Sequence, residues 1–436
     1  MEKDPFLFHY YLQISNKNVP IPEKTVEKIF DTLKLLFVSK INREIFESQC
    51  FQGVPEECNG LRSLCWKILL DYLPEKPCKW KESLEASRKQ YENYINAYVI
   101  PRINAGNNPQ KKEQTSGFRS GRSQSEATNK SNIEETKTSD KKAEGNVKSN
   151  KSSQKQKSVF FDDHPLSTAN DSQWNSFFKD QKLWEDIIKD TKRTRSTTEF
   201  FRGYTDYPLE KLYTQEFVLE KTYEKETHID VISRILFVYG KLNPSVGYVQ
   251  GMNEVLAPIY YCFYNDLNPI FVGRAEADAF HCFTKLMKEI QNGFMKKLDN
   301  TEGGIQTRVK TLNETLKKID KQLWTHLEKY KVNPQFYSLK WLMLLLAQEF
   351  SIDDLLKVWD RLLAHPKKLE YINYLCLSMI ENAREALIKA DDFAAIMLTL
   401  QKDVTEDLDK IFSTGYRLYK QYAKPEEIAQ HIVLQE

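Results

Sequence analysis

Two short motifs carry the side chains best suited to chemistry in this 436-residue sequence. In the first, Asp190 and Arg193 stand three residues apart, so they lie side by side on a helix surface. The apolar stripe that includes Ile187 predicts that this helix is anchored. An anchored helix end is a suitable place for a guanidinium, here that of Arg193, that acts on a phosphate of another molecule. Taken alone, the same spacing also fits an ordinary salt bridge within one helix.

The second motif is the run Tyr248-Val249-Gln250-Gly251. The Gln250 amide can both donate and accept hydrogen bonds, and Gly251 permits the close approach of another backbone or a ligand. The alternative is a plain loop that leads into a helix. Neither motif identifies a function by itself, so their neighbours in the sequence matter.

Several common chemistries have no motif in this chain. The sequence lacks a G-x-x-x-x-G-K-[ST] phosphate loop, a G-x-G-x-x-G dinucleotide fingerprint, a G-x-S-x-G elbow and an H-E-x-x-H pair. Asp162, Asp163 and His164 are adjacent but have no fourth ligand nearby, so we expect them to cap and pack rather than to hold a metal. The seven cysteines form no C-x-x-C pair, which favours reduced thiols in a cytosolic protein.

The composition excludes other classes. Lysine and arginine number 63 against 61 aspartates and glutamates, so the net charge of +2 predicts no general affinity for nucleic acid or membrane. No apolar run approaches the ~18 residues of a membrane span, and no signal peptide or lipidation motif is evident. We therefore expect a soluble, cytoplasmic protein that reaches a membrane only if a partner recruits it.

One segment, residues 104–158, differs sharply in composition. Its 55 residues include only six hydrophobic ones, with 12 basic against 6 acidic side chains. Such a segment cannot bury enough apolar surface to offset the entropy of ordering, so it is predicted to be a disordered insertion. A solvated linker is favoured over a docking site for anionic lipid, because acids are interspersed and no amphipathic pattern is present.

Outside that insertion, the hydrophobic period is helical. Glycine is scarce at 15 of 436 residues, and no alternating strand pattern occurs, which predicts an all-α fold. A helix is also expected to begin soon after Tyr248. The other stripes fall at 22–46, 61–72, 183–191 after an opening Asp180, 231–239, 280–290, 341–348, 355–362, 371–385 and 393–400.

Together these motifs resemble the TBC domain of Rab GTPase-activating proteins. Arg193 ends a run that is similar to the family's I-x-x-D-x-x-R motif, and Tyr248 begins one similar to its Y-x-Q-G motif. Upstream, Arg62 and Trp66 resemble the opening R-x-x-x-W pair. The order of the motifs along the chain is that of the family.

Later landmarks extend the resemblance. Trp341, Glu349-Phe350 and Trp359-Asp360 resemble those of the C-terminal half, and the run over 163–180 is similar to one subgroup of the family. Trp341, Trp359 and Asp360 are assigned to core packing and capping. Lys340 stands where the family commonly has arginine. A lysine lacks the planar fork, so we expect a buried bidentate contact to be weaker there.

The resemblance implies a fold and a domain organisation. It implies an all-α, two-lobed, multi-helix TBC domain over 51–422, interrupted by the insertion at 104–158. An N-terminal helical extension at 1–50 and a C-terminal tail at 423–436 flank the domain. A single compact domain makes a monomer the expected state.

The resemblance also implies a function. The chain would accelerate GTP hydrolysis by a GTP-bound Rab-family small GTPase in vesicle trafficking, without a catalytic cycle of its own. Arg193 would be the arginine finger, and Gln250 would position the attacking water in place of the GTPase's own glutamine. GTP and Mg²⁺ belong to the partner, so this chain would need no cofactor.

Five further residues receive supporting roles by resemblance. Asp190 would orient the arginine, Tyr248 would hold the loop, and Gly251 would let the Gln250 backbone approach the GTPase. For Arg62 and Trp66 the prediction is a buried guanidinium and an aromatic ring in the N-terminal core, rather than catalytic contact.

Three alternatives remain open from the sequence. Lys192 and Arg195 compete with Arg193 for the role of the finger. A non-catalytic Rab-binding or scaffold module could keep the fold without accelerating hydrolysis. An unrelated helical interaction protein would place Arg193 far from Gln250, whereas the GTPase-activating hypothesis requires both side chains on one exposed concave surface.

Overall fold

The computed structural model describes residues 21–100, 173–209, 226–295, 304–402 and 404–423. Within these ranges the chain forms sixteen α-helices and no sheet, with one isolated bridge between Tyr204 and Thr227. The predicted all-α class is confirmed. The predicted insertion at 104–158 and the run Asp162 to His164 lie outside the described residues.

The helices follow one another as α1 (Glu23–Leu36), α2 (Arg43–Phe51), α3 (Leu61–Leu69), α4 (Trp80–Tyr94), α5 (Gln173–Thr191), α6 (His228–Leu242), α7 (Met252–Tyr264), α8 (Ala275–Ile290), α9 (Ile305–Ile319), α10 (Lys321–Lys329), α11 (Gln335–Met343), α12 (Ile352–Ala364), α13 (Lys368–Asn382), α14 (Arg384–Lys389), α15 (Phe393–Lys402) and α16 (Leu408–Tyr422). The chain divides into two compact units, 1–101 with 181–436 and 102–180. Every side chain of the site described below belongs to the first unit.

Local chemistry explains several helix boundaries. The stripe at 22–46 divides into α1 and α2, because the Asn42 side chain accepts a hydrogen bond from the Ile45 amide at 3.2 Å and caps α2. A capping box starts α6, where the Thr227 amide donates to Asp230 Oδ2 at 2.9 Å and the Asp230 amide donates to Thr227 Oγ1 at 3.2 Å. Helix α5 begins at Gln173, before the predicted opening at Asp180.

The predicted helix over 341–348 is wrong in its second half. Helix α11 ends at Met343, and Leu345 and Leu346 adopt left-handed backbone angles with φ of 52° and 62°. Both residues are fully buried, and the Leu345 carbonyl accepts a hydrogen bond from Trp359 Nε1 at 3.0 Å. Tertiary packing therefore sustains a turn that residues of this type rarely adopt.

A buried polar cluster joins α3 to α12. The Arg62 guanidinium lies 3.0 Å from Asp360 Oδ1 and 3.0 Å from the Val54 carbonyl oxygen. Trp66 Nε1 donates to the same carboxylate at 2.8 Å, and the rings of Trp66 and Trp359 lie with their centroids 5.8 Å apart at an interplanar angle of 35°. Asp360 lies inside α12 and caps no helix end, so its assigned capping role is replaced by this ion pair.

Candidate functional site

The end of α5 is held firmly against the core. Ile187 is fully buried, and the Thr191 and Ser233 hydroxyls lie 2.8 Å apart between α5 and α6. The next residues continue as a tight turn, in which the Arg193 amide donates to the Asp190 carbonyl at 2.9 Å. The Arg193 side chain is 67% exposed, so a rigid helix end carries a solvent-facing guanidinium.

Asp190 connects the two motifs. Its carboxylate accepts a hydrogen bond from the Arg193 guanidinium and a second one, at 2.9 Å, from the Tyr248 hydroxyl. Burial, followed by the charge of Asp190, raises the pKa of Tyr248, so the phenol stays protonated and donates. One carboxylate therefore bonds both to the Arg193 guanidinium and to the tyrosine of the loop that carries Gln250.

Asn253 supplies a second connection that the sequence did not reveal. Its buried amide nitrogen donates to Thr194 Oγ1 at 2.8 Å and lies 3.4 Å from the Asp190 carbonyl oxygen. Its carbonyl oxygen lies 3.2 Å from the Tyr248 hydroxyl. The residue stands in the second motif region, but nothing in its spacing indicates contacts with residues about sixty positions earlier.

Gly251 immediately precedes α7, and its backbone angle and packing there require a glycine. Its φ of 100° is left-handed, and a Cβ atom there would lie 2.7 Å from Leu344 Cδ2. Only glycine combines that backbone angle with so close a neighbour. This packing against Leu344 fixes the backbone beside Gln250, and the approach of a GTPase at Gly251 stays a prediction.

Arg193 and Gln250 converge on one open pocket of about 590 Å³, and both side chains are exposed. The structure therefore contradicts the unrelated helical protein, which required the two residues to be far apart. The other lining residues come from α5, α7, α9, α11 and the flanking loops. They are Asp190, Val249, Gly251, Asn253, Glu254, Gly293, Phe294, Ile305, Gln306, Leu339, Met343, Leu344 and Gln348.

The competing cations are placed differently. The Arg195 guanidinium donates to the Phe350 carbonyl at 3.1 Å and to the Ala347 carbonyl, and burial lowers its pKa. Arg195 thus stabilises the turn after α11. Lys192 is exposed but does not line the pocket. Of the three neighbouring cations, Arg193 is the one that lines the same pocket as Gln250.

The inner wall of the pocket includes a buried carboxyl group. Burial raises the pKa of Glu254, although a hydrogen bond from Gln348 and the charge of Arg195 partly offset this. A raised pKa reflects a less stable negative charge. Glu254 and Gln348 were not predicted as site residues, and Gln348 has no motif that would have singled it out.

Three residues that the sequence analysis named lie away from the pocket lining. Arg62 and Trp66 belong to the buried cluster around Asp360. Lys340 is 53% exposed and forms one ion pair with Glu349 at 3.3 Å. Lys340 therefore reaches from the surface to a largely buried carboxylate, since the Glu349 side chain is only 11% exposed.

Among the described residues, no three His, Cys, Asp or Glu side chains stand close enough to hold a metal ion together. Across the same residues, no helix combines the length and the apolar character needed to cross a bilayer.

Comparison with known proteins decides the family. The model of the Rab-GTPase-TBC domain matches residues 59–388, which is well over half of the chain. The chain belongs to the Rab-GTPase-TBC domain family. The site described above lies within the matched range of this TBC domain.

Individual relatives agree with that assignment. The TBC domain is similar to human TBC1 domain family member 13, with 31% identity over 435 residues that cover 90% of this chain and 97% of the relative. The mouse protein of the same name matches over the same lengths with the same identity. The subgroup indicated by the run over 163–180 is thereby confirmed.

A crystal structure confirms the fold. The Ypt/Rab-GAP domain of Gyp1p superimposes with a TM-score of 0.59 and covers 91% of this chain and 99% of its own. At 18% sequence identity, this likeness speaks to the fold alone.

Proposed function

We propose that this TBC domain accelerates GTP hydrolysis by a GTP-bound Rab-family small GTPase, supplying Arg193 and Gln250 to the partner's active site. The observation that carries the proposal is the convergence of these two exposed side chains on one open pocket. Family membership supports a Rab as the partner, and the names of the relatives supply no further detail.

The role proposed for Arg193 is electrostatic. Phosphoryl transfer builds charge on the phosphate oxygens, and a guanidinium inserted from another protein stabilises it. Such a finger is worth about 10³–10⁵ in rate, or roughly 4–7 kcal/mol of the barrier. Asp190 holds the guanidinium in the free protein, so the side chain is oriented before the GTPase arrives.

The role proposed for Gln250 is geometric. Its amide would hold the attacking water in line with the γ-phosphate, a task that the GTPase's own glutamine performs without a partner. The backbone on either side is fixed, because Tyr248 bonds to Asp190 and Gly251 packs on Leu344. With the backbone fixed, only the Gln250 side chain has to be ordered when it holds the water molecule.

The proposal extends to the setting in which the protein works. GTP and Mg²⁺ would be bound by the Rab, and this chain would act as a monomer without a cofactor of its own. Because Rab proteins regulate vesicle traffic, we propose that the chain acts at endomembranes through its partner.

The testing experiment measures GTP hydrolysis by a panel of purified Rab proteins with and without the protein. Wild type should accelerate at least one Rab, and Arg193→Ala should lower that acceleration by about two decades or more. Gln250→Ala should also lower it, and its melting temperature should stay unchanged because this side chain is exposed.

Lys192→Ala is the matched control, since it removes the adjacent exposed cation outside the pocket. It should retain most of the activity. A protein that binds a GTP-loaded Rab without accelerating hydrolysis would instead be the non-catalytic module. Equal acceleration by wild type and both pocket variants would refute the roles of Arg193 and Gln250.

A further inference from the structure

An apolar stripe on α11 leads out of the pocket. Phe336, Leu339 and Met343 are spaced i, i+3 and i+7, which places them on one face of the helix. Leu339 and Met343 are half-buried and line the pocket that holds Arg193 and Gln250. Phe336 continues the stripe one turn farther from the pocket and is 59% exposed.

The outer end of the stripe is a pair of aromatic rings. The Phe336 and Phe393 rings meet edge to face with their centroids 5.9 Å apart, and Phe393 is 44% exposed. This contact holds Phe336 in place at the surface. A restrained exposed aromatic ring beside a polar pocket is typical of an interaction surface, where rigid apolar anchors provide much of the binding energy.

The position of the stripe relative to Arg193 defines what would cover it. A GTPase that presents its γ-phosphate to Arg193 and Gln250 must also cover the adjoining wall of Leu339 and Met343. In a small GTPase, the protein segments nearest the γ-phosphate are the switch segments. Their contacts with the γ-phosphate and Mg²⁺ keep them ordered. Phe336 lies about 4.5 Å farther along the helix axis, still within the reach of those segments.

We propose that Phe336, Leu339 and Met343 form a docking surface for an apolar side chain of the GTP-ordered switch segments. The inference rests on the proposed function and adds that affinity and catalysis come from different residues. The stripe provides affinity and selects the GTP-bound state, whereas Arg193 and Gln250 act on the chemical step. Loss of the stripe should therefore raise KM, and loss of the finger should lower kcat.

The first test compares Phe336→Ala with Leu267→Ala, a control that truncates an equally exposed apolar side chain outside the pocket. With a responsive Rab, Phe336→Ala should raise KM about tenfold and leave kcat within about twofold. Leu267→Ala should change neither constant. Because both side chains are exposed, melting temperatures should stay close to that of wild type.

The second test measures binding of the same Rab loaded with a non-hydrolysable GTP analogue or with GDP. Wild type should prefer the GTP-like form, and Phe336→Ala should lose about tenfold in affinity for that form only. An unchanged KM and unchanged affinity in Phe336→Ala would overturn the docking surface.

The two proposals fail in different ways. If Arg193→Ala abolishes acceleration while Phe336→Ala has no effect, the proposed function stands and the stripe is excluded. If Phe336→Ala weakens binding but wild type accelerates nothing, the docking surface stands and catalysis is excluded. If wild type binds no GTP-loaded Rab of the panel, both are overturned.

Discussion

Replacing Asn253 with alanine tests whether the network beneath Arg193 acts in catalysis. The change removes the donor to Thr194 at 2.8 Å and the acceptor that lies 3.2 Å from the Tyr248 hydroxyl. At about 1 kcal/mol for each net hydrogen bond, plus the groups left unsatisfied, the free energy of unfolding should fall by roughly 1–3 kcal/mol. The domain should therefore remain folded at room temperature.

The catalytic effect should exceed what lost stability explains. Thr194 directly follows Arg193, so releasing it lets the arginine turn move relative to Gln250. Misplacement of a catalytic group by about 1 Å can cost about 10²-fold in rate. We therefore expect Asn253→Ala to lower kcat by about 10- to 100-fold while KM changes by less than about threefold.

The assay is a double-mutant cycle in single-turnover GTP hydrolysis at saturating protein. If Asn253 acts by positioning Arg193, then adding Asn253→Ala to Arg193→Ala should lower the residual rate by less than about threefold. Asn268→Ala, which truncates another buried asparagine outside the pocket, should lower stability without lowering kcat. Equal losses in the wild-type and Arg193→Ala backgrounds would refute the positioning role.

Two further predictions concern stability. Burial lowers the pKa of His228 from 6.5 to about 4. The unfolded chain then binds a proton that the folded chain does not, so the free energy of unfolding should fall by about 2 kcal/mol from about pH 7 to about pH 5. Urea titrations of His228→Gln should show a correspondingly flatter profile, and an unchanged slope would contradict this. Arg62→Ala leaves the Asp360 carboxylate buried and should cost about 3–5 kcal/mol, against less than about 1 kcal/mol for Lys310→Ala at its exposed pair with Glu314. Similar losses of unfolding free energy in the two variants would show that burial does not determine how much these ion pairs contribute to stability.

The sequence predicts the helical elements well where local patterns define them. The apolar stripes through Ile187 and over 231–239 correspond to α5 and α6. The apolar pattern wrongly predicts a helix at Leu345 and Leu346, because a left-handed turn in the core has the same apolar composition as a buried helix. Periodicity reports burial, and both conformations bury these leucines.

Contacts between distant residues account for what the sequence could not show. The Asp360 side chain meets Arg62 and Trp66 nearly three hundred residues away, and no local spacing indicates that pairing. Asn253 likewise acquires its position only when α5 and α7 pack together. Phe336 lies outside every motif, so its relation to the pocket appears only once α11 is placed.

The measurement that tests the central claim most directly uses a Rab whose own catalytic glutamine is replaced by alanine. If Gln250 positions the water from this chain, the wild-type protein should accelerate that Rab variant to within about tenfold of the normal Rab. Gln250→Ala should give no measurable acceleration of the Rab variant. If the wild-type protein does not accelerate hydrolysis by the Rab variant that lacks its glutamine, the proposed role of Gln250 is contradicted.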